Sequence, residues 1–378
     1  MNVIQFQQEL ISYAHSIGID KIGFASSDPF RELKNRLKRQ QELSYQSGFE
    51  EPDLDKRTQP SLLLNEAESI ISIAIAYPAR MEDAPQGRKG ARRGIFARAS
   101  WGMDYHTVLR DRLAKLEQFI RENVSSAQTR SMVDTGELSD RAVAERAGIG
   151  WSAKNCSIIT PEFGSYVYLG EIITNIPFTP DTPMEDECGD CRLCLDVCPT
   201  GALIEGGQLN AQRCIAFLTQ TKNFLPDEFR TKIGNRIYGC DTCQTVCPKN
   251  KGILNKHQLD FQPDPEIAKP LLIPLLKMSN KEFKTKFGHV SGSWRGKKPI
   301  QRNAILALAH FKEESALPEL INLLLHDERP VIRGTAAWAI GKIGTKEGRD
   351  ALHEALKTEA DLEVIAEINK GLAFETVN

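Results

Sequence analysis

Eight of the nine cysteines in this 378-residue chain lie between residues 188 and 247. The first run has the spacing C-x2-C-x2-C-x3-C followed by proline and comprises Cys188, Cys191, Cys194, Cys198 and Pro199. This spacing is typical of chains that hold a 4Fe–4S cluster through cysteine thiolates. A second set follows it and contains Cys214, Cys240, Cys243 and Cys247. The array therefore predicts iron–sulfur chemistry.

Two cysteine sets of this size predict two clusters. In two-cluster ferredoxin arrangements the last cysteine of each run binds the other cluster. We therefore assign one 4Fe–4S cluster to Cys188, Cys191, Cys194 and Cys247, and the second to Cys198, Cys214, Cys240 and Cys243. Zinc sites also use C-x2-C pairs but do not need the longer run, and disulfides need an oxidising compartment. Two adjacent clusters indicate electron transfer. The ninth cysteine, Cys156, is expected in a strand as a buried apolar side chain.

Length and charge limit the remaining classes of function. A chain of 378 residues suggests two or three domains. The net charge of −2 provides no global attraction for nucleic acid, so any contact with a polyanion must be local. No apolar run approaches the ~18–20 residues needed to span a bilayer, and the N-terminus lacks the pattern of a signal peptide. We expect a monomer in the reducing cytoplasm.

Residues 1–180 alternate between helical and strand patterns. Helices are predicted over residues 2–17, from Asp104 to about residue 122, and from Ser139 to Gly148. Strands are predicted at Lys21–Ser26, Ser69–Tyr77 and Ser131–Asp134, and the second of these should be covered on both faces. Residues 154–160 and 165–176 should form two further strands that pair with each other. The pattern predicts an α/β or α+β domain with a central sheet, and we assign the whole chain to the α+β class. Residues 181–262 would form a ferredoxin-like domain.

The pattern changes again in the linker and helices of residues 263–378. Residues 301–310 and 331–340 are similar Ala-rich helical segments about thirty residues apart. Each is followed by a second helical segment, at residues 317–325 and 348–356. Helix pairs at this period are typical of HEAT-like solenoids.

Several stretches together resemble the epoxyqueuosine reductase family, and the resemblance covers nearly the whole chain. Besides the cysteine array and the helical tail, they are Arg98–His106, Val133–Thr135, Ala144–Trp151, Leu169–Ile172 and Gly234–Cys240. The resemblance implies reduction of the epoxide of epoxyqueuosine in tRNA to the alkene of queuosine, with cobalamin as cofactor in a sheet domain related to that of reductive dehalogenases. Removal of the oxygen needs two electrons and two protons, and cobalamin supplies a stronger reductant than a cluster.

The resemblance also implies roles for particular residues. Asp134 matches the proton donor, and burial would be needed to raise its pKa towards neutrality. Tyr105 and His106 are secondary candidates for proton transfer. The implied cobalamin pocket comprises Arg57, Ala97, Asp134, the backbone at Ile158, Leu169, Thr221 and Asp241. Some relatives carry cysteine where this chain has Ala97, so no thiol is expected near the cobalt.

A local stretch of basic residues favours a function on tRNA over the alternative functions. Within residues 277–302 we expect tRNA phosphates to be held by Lys281, Lys284, Lys286, Arg295, Lys297, Lys298 and Arg302. The main alternative is a cobalamin and iron–sulfur reductase of a small molecule, of the reductive dehalogenase type. A further alternative is a ferredoxin module fused to a protein-binding solenoid. An external low-potential donor of the flavodoxin or ferredoxin type would supply the electrons.

Overall fold

The computed structural model describes residues 2–374, which form two compact units. The first unit consists of residues 2–80, 103–214 and 241–262. The second consists of residues 81–102, 215–240 and 263–374. The three-domain division at residues 180 and 262, made from the sequence modules, stays a prediction.

The strands, numbered in chain order, are short except for two in the first unit. They are β1 (Lys21–Ser26), β2 (Ser69–Ala76), β3 (Ile95–Phe96), β4 (Thr129–Met132), β5 (Trp151–Ser152), β6 (Ile158–Ile159), β7 (Val167–Thr174), β8 (Leu203–Glu205), β9 (Gln208–Leu209) and β10 (Arg236–Tyr238). Only β3 and β10 belong to the second unit, where they pair in parallel.

Longer helices of the first unit pack against its sheet, and two short ones carry a cysteine each. They are α1 (Val3–Ser16), α2 (Arg31–Glu42), α3 (Tyr105–Asn123), α4 (Asp140–Arg146), α5 (Leu193–Asp196) and α8 (Thr242–Thr245). Those of the second unit are α6 (Ile215–Leu218), α7 (Asp227–Arg230), α9 (Pro265–Ala268), α10 (Leu272–Lys277), α11 (Asn280–Phe287), α12 (Lys297–His310), α13 (Leu317–His326), α14 (Pro330–Ile343), α15 (Lys346–Thr358) and α16 (Leu362–Ala373).

A four-stranded antiparallel sheet with the order β1-β2-β7-β4 forms the centre of the first unit. All eight residues of β2 are buried, which confirms the expectation of a strand covered on both faces. The predicted pairing of residues 154–160 with 165–176 was wrong. Strand β6 pairs with β5, and β7 lies between β2 and β4; a single bridge joins Thr160 to Gly164. Local alternation predicted the strands but could not identify their partners.

The ends of α3 and β4 bring polar side chains to one end of the sheet. Asp104 caps α3, as expected, by accepting a hydrogen bond from the backbone N–H of His106 at 3.0 Å. The predicted apolar stripe of α3 is buried and consists of Val108, Leu109, Leu113, Leu116 and Ile120. Asp134 lies two residues beyond β4 with φ of 51°. Aspartate is one of the few residues other than glycine that adopt this left-handed conformation readily.

The second unit is dominated by the helix pairs predicted from the repeats. Helices α12 to α16 pack around a core of Leu and Ala side chains, with α14 against both α13 and α16. The α14–α16 contact is close because glycines face each other: a Cβ on Gly341 would lie 2.3 Å from the carbonyl oxygen of Gly371. The expected α+β class with a helical C-terminal part is confirmed. Among residues 2–374, no helix is both long and apolar enough to cross a membrane.

Candidate active site and cluster sites

Four of the cysteines surround one cavity in the first unit. A space of about 250 Å³ is lined by Cys188, Cys191, Cys194 and Cys247, with Ala153, Lys154, Asn155, Ile159, Glu187, Leu193, Pro248 and Lys249 completing its wall. Two short helices bring the cysteines together, because α5 carries Cys194 and packs against α8, which precedes Cys247. These four cysteines form the first ligand set assigned from the sequence. Thiolates around a cavity of this size suit a cluster of iron and sulfide.

Two buried N–H donors lie close to the residues of the same cavity. Trp151 is 2% exposed and packs against Cys188 and Cys247. Burial raises the pKa of the Cys188 thiol, and the backbone N–H of Lys154 opposes that shift. The indole nitrogen and the Asn155 side-chain nitrogen are both buried without a hydrogen-bond partner. Both donors are therefore available to a cluster held by the four cysteines.

The second cysteine set is divided between the two units. Cys198, Cys214 and Cys243 belong to the first unit, and Cys240 is the last residue of a segment of the second. The sulfur of Cys198 accepts a hydrogen bond from the backbone N–H of Ala202 at 3.3 Å. The assignment of these four cysteines to one cluster stays a prediction.

Asp134 belongs to a network of side chains at the N-terminal end of α3. His106 Nδ1 lies 2.7 Å from Oδ1 of Asp104, and its Nε2 lies 3.4 Å from Oδ2 of Asp134. The second contact is an ion pair without a hydrogen bond, because Nε2 is buried and has no hydrogen-bond partner. Tyr105 stacks on the His106 ring, with ring centroids 4.1 Å apart. The Asp134 side chain is 59% exposed, so its carboxylate is open to a substrate.

The charges of this network differ from our expectation for Asp134. The interaction with His106 outweighs burial and holds the pKa of Asp134 below its ordinary value. Burial alone would lower the pKa of His106, but Asp104 and Asp134 raise it to about 9. The expectation of a raised pKa for Asp134 was therefore wrong, although burial acts in the expected direction. At neutral pH the proton resides on His106, and Asp134 is a carboxylate beside it.

Comparison with known proteins agrees with the cysteine array and the helical repeats. Family models match residues 57–135 ("Epoxyqueuosine reductase QueG, DUF1730"), 187–250 ("4Fe-4S double cluster binding domain") and 296–373 ("HEAT repeats"). The epoxyqueuosine reductase of Bacillus subtilis is 68% identical over 98% of this chain and 96% of that protein. The chain belongs to the epoxyqueuosine reductase family. It is an oxidoreductase with a two-cluster iron–sulfur domain, as predicted.

Two solved epoxyqueuosine reductase structures extend the comparison. One, crystallised with an epoxyqueuosine-modified tRNA-Tyr stem loop, is 68% identical with a TM-score of 0.97, covering 99% of each chain. The other, from Bacillus subtilis, is described with its Asp134 catalytic loop swung out of the active site. It is 66% identical with a TM-score of 0.97, covering 99% of this chain and all of that one.

The cofactor-binding residues expected for an epoxyqueuosine reductase are divided between the units. In the first unit, Ile158 and the part-buried Leu169 belong to one apolar cluster, and Arg57 is within electrostatic range of Asp140. Asp241 precedes α8, and its backbone carbonyl accepts a hydrogen bond from Thr245 Oγ1.

In the second unit, Ala97 faces a glycine, because a Cβ on Gly239 would lie 2.5 Å from the Cβ of Ala97. Thr221 accepts a hydrogen bond from Arg302. The cofactor roles of all these residues stay predictions.

The residues expected to bind tRNA all lie in the second unit, and most of them are accessible. Lys281, Lys284 and Lys286 are exposed on α11, whose Phe283 and Phe287 are buried. Arg295, Lys297 and Lys298 are part-buried, and the Lys297 ammonium donates to the carbonyl of Met278 at 2.7 Å.

Arg302 does not belong to this surface, so its inclusion was wrong. It is 0% exposed and donates to the carbonyls of Leu218 and Asn223. The sequence shows that residue 302 is a basic side chain but does not show that this side chain is buried.

Cys156 also differs from the prediction. It lies in a turn with φ of 64°, outside any strand, and its backbone carbonyl accepts a hydrogen bond from Arg141. Burial raises the pKa of its thiol.

Sequence reasoning missed two carboxyl groups next to Asp134. Asp140 Oδ2 accepts the backbone N–H of Asp134 at 2.8 Å, and Glu171 is 0% exposed in the middle of β7. A signal for Glu171 was present, since it is the single charged residue of an otherwise apolar strand. No local signal marked Asp140, which reads as an ordinary acidic residue in the first turn of a helix.

Proposed function

We propose that this chain reduces the epoxide of epoxyqueuosine in the anticodon loop of tRNA to the alkene of queuosine. The observation that carries the proposal is near-full-length identity of 68% to an epoxyqueuosine reductase solved with a modified tRNA stem loop. The exposed carboxylate of Asp134 supports it, because an epoxide oxygen leaves more readily when it is protonated. A base in a loop can be splayed out towards such a group, unlike a base within an A-form duplex.

Cobalamin is the proposed cofactor, and the residues of the first unit suit it. Leu169 offers a part-exposed apolar surface, and Arg57 adds a donor-rich guanidinium close to the acidic residues. A corrin ring has broad apolar faces and a rim of amide groups. It therefore needs both apolar side chains and hydrogen-bonding side chains as partners. When bound, cobalamin would supply the strong reductant for carbon–oxygen cleavage. Within the first unit, it would be held by Arg57, Ile158, Leu169 and Asp241.

The chain's own residues would transfer the protons and electrons of the reaction. Asp134 is proposed to deliver protons to the leaving oxygen, with His106 as the neighbouring store of one proton. Each of the two cysteine sets would hold a 4Fe–4S cluster that passes one electron at a time. The first set is Cys188, Cys191, Cys194 and Cys247, and the second is Cys198, Cys214, Cys240 and Cys243. An external flavodoxin or ferredoxin would supply the electrons, and the enzyme would act as a monomer in the cytoplasm.

The basic side chains of the second unit would position the tRNA. Phosphate contacts fix orientation but carry no sequence information, so selection would come from the epoxide-bearing base. We propose phosphate contacts for Lys281, Lys284, Lys286, Arg295, Lys297 and Lys298.

The test is reduction of a defined RNA by anaerobically purified protein. The protein, supplied with cobalamin and a low-potential reductant, is mixed with a stem loop bearing epoxyqueuosine, and the product is analysed by mass spectrometry. We expect the modified base to lose one oxygen atom only when cobalamin and both clusters are present. The free epoxide nucleoside serves as the matched small substrate. Efficient reduction of the nucleoside with no reaction of the stem loop would contradict the proposal.

A further inference from the structure

The turn between β5 and β6 forms one wall of the cavity that the first cysteine set surrounds. Strand β5 ends at Ser152 and β6 begins at Ile158. Between them, Ala153, Lys154 and Asn155 line the cavity. The turn lies outside all three segments that the family models match. Its position beside the cysteines is a result of the fold and could not be read from the cysteine spacing.

Backbone hydrogen bonds give this turn a defined shape. The N–H of Cys156 donates to the carbonyl of Ala153 at 2.9 Å, and the N–H of Ala153 donates to the carbonyl of Ser157 at 2.9 Å. Cys156 has φ of 64°, the left-handed conformation that commonly ends a three-residue hairpin loop. Arg141 donates to the carbonyl of Cys156 and ties the turn to α4. The two residues before Cys156 therefore have a fixed backbone.

The side chain of Asn155 is held with its amide nitrogen unpaired. Asn155 is 6% exposed, and its Oδ1 accepts the backbone N–H of Ser157 at 3.1 Å. Only the oxygen of an amide accepts such a bond, so the N–H groups are at the other end of the side chain. Among residues 2–374 this nitrogen has no hydrogen-bond partner. Leaving a buried donor unpaired is costly, so we expect its acceptor in the cavity that Asn155 lines.

Lys154 adds a cation and a backbone donor beside the same cysteines. Its ammonium donates to the carbonyl of Cys191 at 3.2 Å and also to the carbonyl of Gly189. Its backbone N–H opposes the rise in the pKa of the Cys188 thiol that burial causes. The turn therefore holds the first C-x2-C segment in place and favours negative charge on its sulfurs.

The sulfurs of a 4Fe–4S cluster are acceptors that suit the unpaired amide. Hydrogen bonds to these sulfurs contribute to the reduction potential of a cluster. We infer that the Asn155 amide donates to a sulfur of the first cluster and raises its reduction potential. Reduction adds one electron from the external donor and no proton, and hydrogen bonds strengthen as the acceptor becomes more negative. The inference rests on the cluster proposed for the first cysteine set and does not depend on the proposed reaction with tRNA.

The test begins with Asn155→Asp, which keeps the oxygen that accepts from Ser157 but replaces the N–H donors by a carboxylate oxygen. We expect reduction of the first cluster to become at least about tenfold less favourable, which lowers a one-electron midpoint potential by about 59 mV. The potential of the second cluster should not change. Redox titration with electron paramagnetic resonance measures both potentials in the anaerobically purified full chain without RNA. The signal of the first cluster is the one that Cys191→Ser alters.

Asn155→Ser separates the loss of the donor from the added charge. The serine hydroxyl can still accept from Ser157, but it has no amide. The first-cluster potential of this variant should lie between those of the parent and Asn155→Asp. Asn175→Asp is the matched control, because Oδ1 of Asn175 also accepts a backbone N–H, from Gln128 at 2.8 Å, and Asn175 does not line the cavity. This control should keep both parent potentials.

The possible outcomes distinguish the inference from the proposed function. A parent-like potential of the first cluster in Asn155→Ser, or equal shifts in both clusters, would overturn the role of Asn155. If Asn155→Asp assembles only the second cluster, Asn155→Ser decides by the same measurement. A parent without any cluster signal that Cys191→Ser alters would instead overturn the proposed first cluster. The expected shifts in an enzyme that is inactive on the stem loop would overturn the proposed reaction alone.

Discussion

Nε2 of His106 lies 3.4 Å from Oδ2 of Asp134, while Nδ1 of the same ring lies 2.7 Å from Asp104. The imidazole is thus held between two carboxylates, which stabilise its charged form. One carboxylate caps α3 and fixes the ring, and the other is open to the substrate. The acid of the proposed reaction would therefore be a charged pair with one proton, rather than a neutral aspartic acid in an apolar pocket.

Asp134→Asn removes the group that would pass protons to the leaving oxygen. We expect clusters and RNA binding to be retained and single-turnover reduction to fall by ~10²–10⁴-fold, the usual contribution of general acid catalysis. The control is Asp111→Asn, which makes the same chemical change away from the site. Asp111 is an exposed aspartate on α3 that pairs with Lys115. That control should react at the parent rate. A normal rate in Asp134→Asn would show that the proton comes from another group.

The raised pKa of His106 predicts a stability contribution with a definite pH dependence. Because the folded pKa of about 9 exceeds the ordinary histidine value of 6.5, the contribution is complete below pH 6.5 and is lost as the pH rises through about 9. Its size should be roughly 1–3 kcal/mol. The measurement compares thermal unfolding of the parent and His106→Gln at pH values across this window. A difference between them that stays constant from pH 6 to above 9 would contradict the assigned charge.

Local patterns determined the elements of the first unit well. The Asp104 cap and the five apolar residues of α3 could be read from the sequence because capping and helical periodicity depend on near neighbours. Cysteine spacing likewise identified the four residues that surround one cavity.

Long-range relationships could not be predicted in the same way. The partners of β7, the charge of Asp134 and the burial of Arg302 each depend on residues far away in the sequence. The resemblance correctly identified the family, but it did not reveal that His106 would hold the proton of the acid pair.

Trp151 allows a prediction about electron transfer. Hydrogen bonds to cluster sulfurs stabilise the reduced, more negative state and raise the reduction potential. Trp151→Phe removes the buried indole N–H beside Cys188 while keeping an aromatic ring. We expect the midpoint potential of one cluster to become more negative and that of the other to stay constant, as measured by redox titration with electron paramagnetic resonance. Equal shifts in both clusters, or none, would count against a local donor.

Arg302 and the lysines of α11 should respond differently to substitution. Arg302→Met would leave the buried side-chain oxygen of Asn303 without the donors that Arg302 provides, at a cost of about 1–3 kcal/mol for a buried group left unsatisfied. The variant should therefore melt at a lower temperature. In the folded protein, the salt dependence of its RNA binding should equal that of the parent, because a buried cation releases no counterions from RNA. A change in the salt dependence of RNA binding would indicate that Arg302 contacts RNA phosphates after all.

The exposed lysines of α11 should contribute to RNA binding through their charge. Lys284→Gln with Lys286→Gln should reduce the slope of log affinity against log salt by roughly 1.4–1.8, since each phosphate contact contributes about 0.7–0.9. Lys346 and Lys357 are also exposed, on α15, and their double substitution to glutamine gives a control with the same loss of charge. The measurement is stem-loop affinity at several salt concentrations. Equal slopes for the two double variants would mean that the α11 lysines are only solvated surface charges, and that phosphates bind elsewhere.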